Sequence, residues 1–216
     1  MSFLNQLKEQ AQSLKSQQDA QSQDVMTNAA ATNAACQRVW HYLEDLRRQL
    51  NVIEPPAAPL SLDGKQVWPA MKQTDFHFDA RKKLLRDKEV YDYLALGWRL
   101  VPAARVGDGR AQVKVNFPPD LERVERRLRA GHVPHERQEL RHPETNGLLA
   151  IVFDFELAAR ASVMVTAEHE QAQLLFRLAA VNGLEVVSTR YRAEQVNSTV
   201  LDELAKLIVG QPSRFL

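Results

Sequence analysis

The sequence predicts an α+β protein: a long N-terminal helical arm, of one helix or two, then an antiparallel β-meander of about seven or eight strands. One short helix is inserted in the meander, and a C-terminal helix is packed on the sheet. Three observations carry this reading. From Phe3 to about Asn51 there is neither proline nor glycine, and Gln, Ala, Leu, Lys and Glu dominate, all good helix formers. After a proline cluster the apolar period changes from helical to two. Turn signals then recur at short intervals, leaving few crossovers long enough for parallel pairing.

In the arm, residues 1–52, Leu4, Ala11, Val25, Val39 and Leu46 fall on one seven-residue series, with Leu7, Leu14, Ala35 and Tyr42 on a companion series three positions along. That is a coiled-coil register, and it makes Leu4, Leu7, Leu14 and Val25 the candidate binding stripe for a protein partner or a second copy. The register is interrupted by Gln18, Gln21, Asn28 and Thr32 at seam positions, where buried polar groups weaken an interface. The same pattern also suits an amphipathic helix whose second half, with Val39, Trp40, Leu43, Leu46 and Leu50, packs on its own domain.

Residues 53–62, with Pro55-Pro56-Ala57-Ala58-Pro59, end the helix and read as a semi-rigid linker, because proline lacks the amide donor and biases its predecessor to extended geometry. The remaining residues, 63–216, form the sheet domain. Thr74, Phe76, Phe78 and Ala80 alternate with Gln73, Asp75, His77 and Asp79, the signature of a half-buried strand. A second strand follows from Leu94, Leu96, Trp98 and Leu100, and a third from Val113, Val115 and Phe117. Gly107-Asp108-Gly109 between them predicts that the second and third strands pair as a hairpin.

Pro118-Pro119-Asp120 opens a short helix with Leu121, Val124 and Leu128 inward, Asp120 or a neighbour as its cap and Gly131 as its end. Further strands are expected over Ile151–Leu157, around Val163 and Val165, and over Leu174–Leu178. Asn146-Gly147 marks one turn, and Asn182-Gly183 predicts a two-residue hairpin leading into Val186 and Val187. Asn197-Ser198-Thr199 caps the last helix, whose apolar face holds Val200, Leu201, Leu204, Leu207 and Ile208.

Composition excludes several classes. Lys and Arg total 28 against 27 Asp and Glu, so no global field steers the chain toward nucleic acid, and no nucleic-acid partner is expected. Cys36 is the single cysteine, which excludes an intrachain disulfide and fits a reducing compartment. The opening residues lack the apolar core of a signal peptide, and no run of about 18 apolar residues would span a membrane. Cytoplasmic location is the expectation.

The chemical candidates are weak. His132, His135 and His142 cluster, but Arg129, Arg137 and Arg141 surround them and would repel a cation, so no metal is assigned. Asp154 and Glu156 share one strand face, a spacing that suits acid–base pairs and wet sheet faces alike. Arg123, Arg126, Arg127 and Arg129 alternate with Glu122 and Glu125 as an ion-paired helix would. Neither a nucleophile elbow nor a phosphate loop is present, no cofactor is expected, and no residue is nominated as catalytic. The preferred reading is a non-enzymatic interaction or assembly protein acting through its arm. The alternative is a small apolar-ligand module with Phe76, Phe78, Trp98, Phe153 and Phe155 lining a cavity between curved sheet and C-terminal helix.

Overall fold

The computed structural model describes residues 3–216, and within the first helix the side chains of Leu4, Gln6, Glu9 and residues 17–22 lie outside the described set. In chain order the elements are α1 (Phe3–Ile53), β1 (Met71–Leu85), β2 (Lys88–Pro102), β3 (Arg110–Val115), α2 (Pro118–Ala130), β4 (His135–Arg141), β5 (Leu148–Glu156), β6 (Ala159–Glu168), β7 (Gln173–Ala179), β8 (Val186–Arg192) and α3 (Ser198–Ile208). The class is α+β as the sequence predicts, with every strand pairing antiparallel. The arm is a single helix.

The strands do not form one meander. They divide into a five-stranded sheet in the order β1-β2-β6-β7-β8 and a three-stranded sheet in the order β3-β5-β4. The expected hairpin across Gly107-Asp108-Gly109 is therefore overturned: β3 pairs with β5. Both edges of β2 are already taken, one by β6 and the other by β1. The β1–β2 hairpin turns on Arg86 (φ 48°) and Asp87 (φ 64°), non-glycine residues in the left-handed region that a two-residue turn of this kind requires.

The Asn182-Gly183 hairpin also differs from expectation. Ala179 opposes Val186, so the β7–β8 connection is longer than two residues. It is closed by the Ala180 amide donating to the Glu185 carbonyl at 2.9 Å. The reason is burial: Val181 (9% exposed) and Leu184 (2%) fold into the core from within the loop, leaving Val186 and Val187 each 42% exposed. At α2, Asp120 is not the cap. Phe117 holds that position without a side-chain bond, the two prolines fill the first turn, and Asp120 instead pairs with Arg123. Asn197 does cap α3, its side chain accepting from the Val200 amide at 3.1 Å, and the Asn146-Gly147 turn does join β4 to β5.

One apolar core runs through the protein. The inward face of the larger sheet, with Leu94, Leu96, Trp98, Val163, Val165, Leu174 and Phe176, is packed with Ala35, Cys36, Val39, Leu43 and Leu50 of α1 and Leu201, Leu204 and Ile208 of α3. Burying each leucine or valine contributes about 1.5–3 kcal/mol, so the second half of α1 is a principal source of core area. Polar side chains of α1 reinforce the seat. Asn51 donates to the Phe76 carbonyl and accepts from the Phe76 amide, both at 2.8 Å, at the bulge where Asp75 (φ 56°) breaks the β1–β2 register. Asn33 accepts from the Tyr91 amide at 3.1 Å, and the buried His169 Nε2 donates to the Tyr91 carbonyl at 2.7 Å. Arg38 donates to the carbonyls of Val196 and Ala193 at 2.9 and 3.0 Å. These are backbone groups that no strand partner reaches, and leaving them buried and unpaired is costly.

The proline-rich segment lies against the larger sheet. The Ala57 amide donates to the Met71 carbonyl at 2.8 Å and the Gln73 amide to the Pro55 carbonyl at 2.9 Å, while Leu60 and Leu62 are buried. Gln73, expected on the wet face of its strand, is only 2% exposed. Its amide donates to the carbonyls of Pro56 at 3.0 Å and Ile208 at 2.7 Å, tying that segment to the end of α3.

Candidate functional site

The candidate stripe on α1 divides at about Val25. Leu7 is 46% and Leu14 61% exposed, Phe3 beside them is 74% exposed, and Val25 is half-buried. The side chain of Leu4 lies outside the described set, as do those of Gln18 and Gln21. Among the described residues, the side-chain hydrogen bond from α1 to the body nearest the N-terminus runs from Asn28 Nδ2 to the Glu170 carbonyl, 2.8 Å. Thr32 is fully buried and donates back to the Asn28 carbonyl at 2.8 Å. Two of the four polar seam positions are thus occupied by contacts within this chain. The helix ahead of Val25 extends about 33 Å at 1.5 Å per residue.

The aromatic set goes to two places. Phe76 and Trp98 stack at 5.2 Å inside the larger sheet, and Phe78 is half-buried against Trp40 at 6.3 Å. Phe153 and Phe155 belong to the smaller sheet, where Phe155 stacks on Trp68 at 5.3 Å and Phe153 meets the His135 ring edge-on at 5.8 Å. Phe76, Trp98, Phe153 and Phe155 are each between 1% and 4% exposed and contribute to the common core.

The remaining candidates resolve into structural contacts. Among the described residues no group of three or more His, Cys, Asp or Glu is placed to hold a metal ion. His135 Nδ1 donates to the Val133 carbonyl at 2.8 Å, and His142 Nδ1 accepts from the Glu144 and Thr145 amides at 3.2 and 3.3 Å. The Asp154 carboxyl is held below the usual carboxylate range by the Gln112 amide at 2.9 Å and by Arg110, whose Nε donates at 2.6 Å. A carboxylate kept ionised in this way is a poor proton donor. Three of the α2 arginines are ion-paired, Arg123 with Asp120 and, at 3.0 and 3.4 Å, Arg127 Nε and Arg126 Nε with the Glu185 carboxylate, while Arg129 Nε donates to the Glu125 carbonyl at 3.3 Å. Arg127 also donates to the Ser61 and Leu62 carbonyls. Cys36 is fully buried, and that burial pushes its thiol up to about 12, the opposite of what a nucleophile needs.

A surface feature absent from the expectations is a cleft of about 400 Å³ on the outer face of the larger sheet, where Asp75, His77, Arg99, Arg160 and Ser162 converge. The sequence held a partial signal, since alternation puts these residues opposite the core face and Gly97 interrupts a strand of large side chains. A larger hollow of about 480 Å³ lies beside the 3-10 turn at His169–Gln171, but its Glu168 and Arg190 already pair at 3.0 Å. No helix among the described residues is long and apolar enough to cross a membrane. Compared with protein-family models, with curated proteins and with solved structures, the chain matches none of them.

Proposed function

We propose that the chain is a non-enzymatic assembly protein that joins a second copy of itself through the N-terminal part of α1. The observation that carries this reading is the exposure of Phe3, Leu7 and Leu14 on a continuous helix whose later turns are docked. Each large apolar side chain removed from water contributes about 1.5–3 kcal/mol, so the stripe favours a cover that its own domain does not provide.

Charge favours a second copy over an unlike partner. Lys8, Glu9 and Lys15 leave the N-terminal end of the free segment with an excess of positive charge, and Asp19 and Asp24 make its C-terminal end negative. Two such segments laid antiparallel bring the lysines of one toward the aspartates of the other, while Gln18 and Gln21 at the seam limit affinity and help to fix register. Light scattering over a concentration series tests this. Full-length protein should gain mass with concentration, and Leu7→Glu with Leu14→Glu should remain monomeric with an unchanged melting temperature. A monomer in both cases overturns self-association. Loss of a captured protein in the double variant alone would then assign the stripe to an unlike partner.

A further inference from the structure

Arg99 on β2 and Arg160 on β6 are direct register partners. Their side chains therefore rise from the same outer face, with Cα atoms roughly 4.5–5.5 Å apart. Like charges set directly opposite one another destabilise a sheet. Asp75 offsets one of them, its carboxylate 3.3 Å from Arg99 Nη1. Arg160's guanidinium has no hydrogen bond or ion pair with a described residue.

The floor between them is built for close approach. A Cβ on Gly97 would stand 2.6 Å from His77 Nε2 and 2.7 Å from its Cε1, so the imidazole occupies the space where a side chain would be. That ring is held by Nδ1, 3.2 Å from the Asp75 carbonyl. A carbonyl only accepts, so Nδ1 carries a proton. Ser162 is the register partner of Gly97, and His132, itself at φ 46°, stands on the rim. The cleft of about 400 Å³ falls in the size range of small-molecule sites.

We propose that this cleft binds a small phosphomonoester. Its phosphate bridges Arg160 and the Arg99 nitrogens that Asp75 leaves free, and accepts from Ser162, and its organic part lies over the His77 ring that covers Gly97. Phosphate suits the donor set better than a single carboxylate, because its three free oxygens reach two guanidinium forks and a hydroxyl together. The bridging anion also relieves the cross-strand repulsion.

The test is titration of isotope-labelled full-length protein with glycerol 3-phosphate and with inorganic phosphate, followed by amide shifts and matched in ionic strength with sodium chloride. The expected result is a saturable shift centred on Gly97, Arg99 and residues 160–162, with the ester binding more tightly than inorganic phosphate. Arg160→Ala should weaken the ester about tenfold or more while leaving the rest of the spectrum in place. Lys114→Ala, which removes one charge from the other sheet, should leave affinity unchanged. Shifts that sodium chloride reproduces, equal affinity for the two phosphates, or equal effects of the two substitutions would overturn the proposal.

Discussion

Leu43→Ala probes whether the second half of α1 belongs to the core. Leu43 is fully buried among Ala35, Cys36, Val39 and the residues of the larger sheet. Leucine and alanine have similar helix propensities, so the helix itself is little affected. The substitution removes three carbons at about 0.8 kcal/mol each, or about 2.4 kcal/mol of transfer free energy. The cavity left behind brings the expected cost to about 2–5 kcal/mol, a large part of the roughly 5–15 kcal/mol that holds a domain together. Val52→Ala, on the same helix immediately after the docked Asn51 but 84% exposed, is the matched control and should change stability by less than about 0.5 kcal/mol. Urea denaturation followed by circular dichroism reads both. A cost below about 1 kcal/mol for Leu43→Ala, or equal costs for the two variants, would refute the packing of α1 described above.

Two further outcomes follow from particular contacts. Glu185→Lys places a third cation beside Arg126 and Arg127 and should lower stability by about 1 kcal/mol, whereas Val186→Asp, at an exposed edge position, should cost less; melting temperatures in the reverse order would contradict the β7–β8 register. Burial raises the Cys36 thiol from its ordinary 9.0 to about 12, so the folded state retains a proton that the unfolded chain releases. The stability this supplies is fully present below about pH 9 and is lost as pH rises toward about 12. Tyr42, raised by burial and by its bond to Asp202, acts in the same direction. Urea midpoints should therefore fall across that alkaline window, and less steeply in Cys36→Ala; parallel profiles for the two proteins would contradict the assignment to Cys36.

What was legible in the sequence was local. The helical run from Phe3, the Asn197 cap and the period-two strands depend on neighbouring residues, and the structure contains them. Pairing was not legible in the same way. Gly107-Asp108-Gly109 and Asn182-Gly183 have the right turn chemistry, but strand partners are set by which edges are free and by which side chains bury. Val181 and Leu184 therefore outweigh the two-residue turn. The docking of the second half of α1 was legible as one of two readings of Val39, Leu43 and Leu50, but its polar seat was not. Asn33, Arg38 and Asn51 belong to no apolar stripe, and each supplies hydrogen bonds to backbone that no strand reaches. The outer cleft needs the β2–β6 register before Arg99 and Arg160 become neighbours, and no spacing in the chain announces that pair.

Association through the N-terminal part of α1 is tested most directly by a distance between copies. Ala11 is exposed on the stripe-bearing segment, and the buried Cys36 leaves a cysteine at position 11 as the reactive site for a spin label. Paired helices lie about 8–10 Å apart, so Ala11→Cys labelled in the full chain should give an intermolecular distance of roughly 15–30 Å once label length is included. Adding Leu7→Glu and Leu14→Glu should abolish it. Absence of any dipolar signal from the labelled chain at the highest soluble concentration, or a signal that survives the two glutamates, would contradict assembly through this stripe.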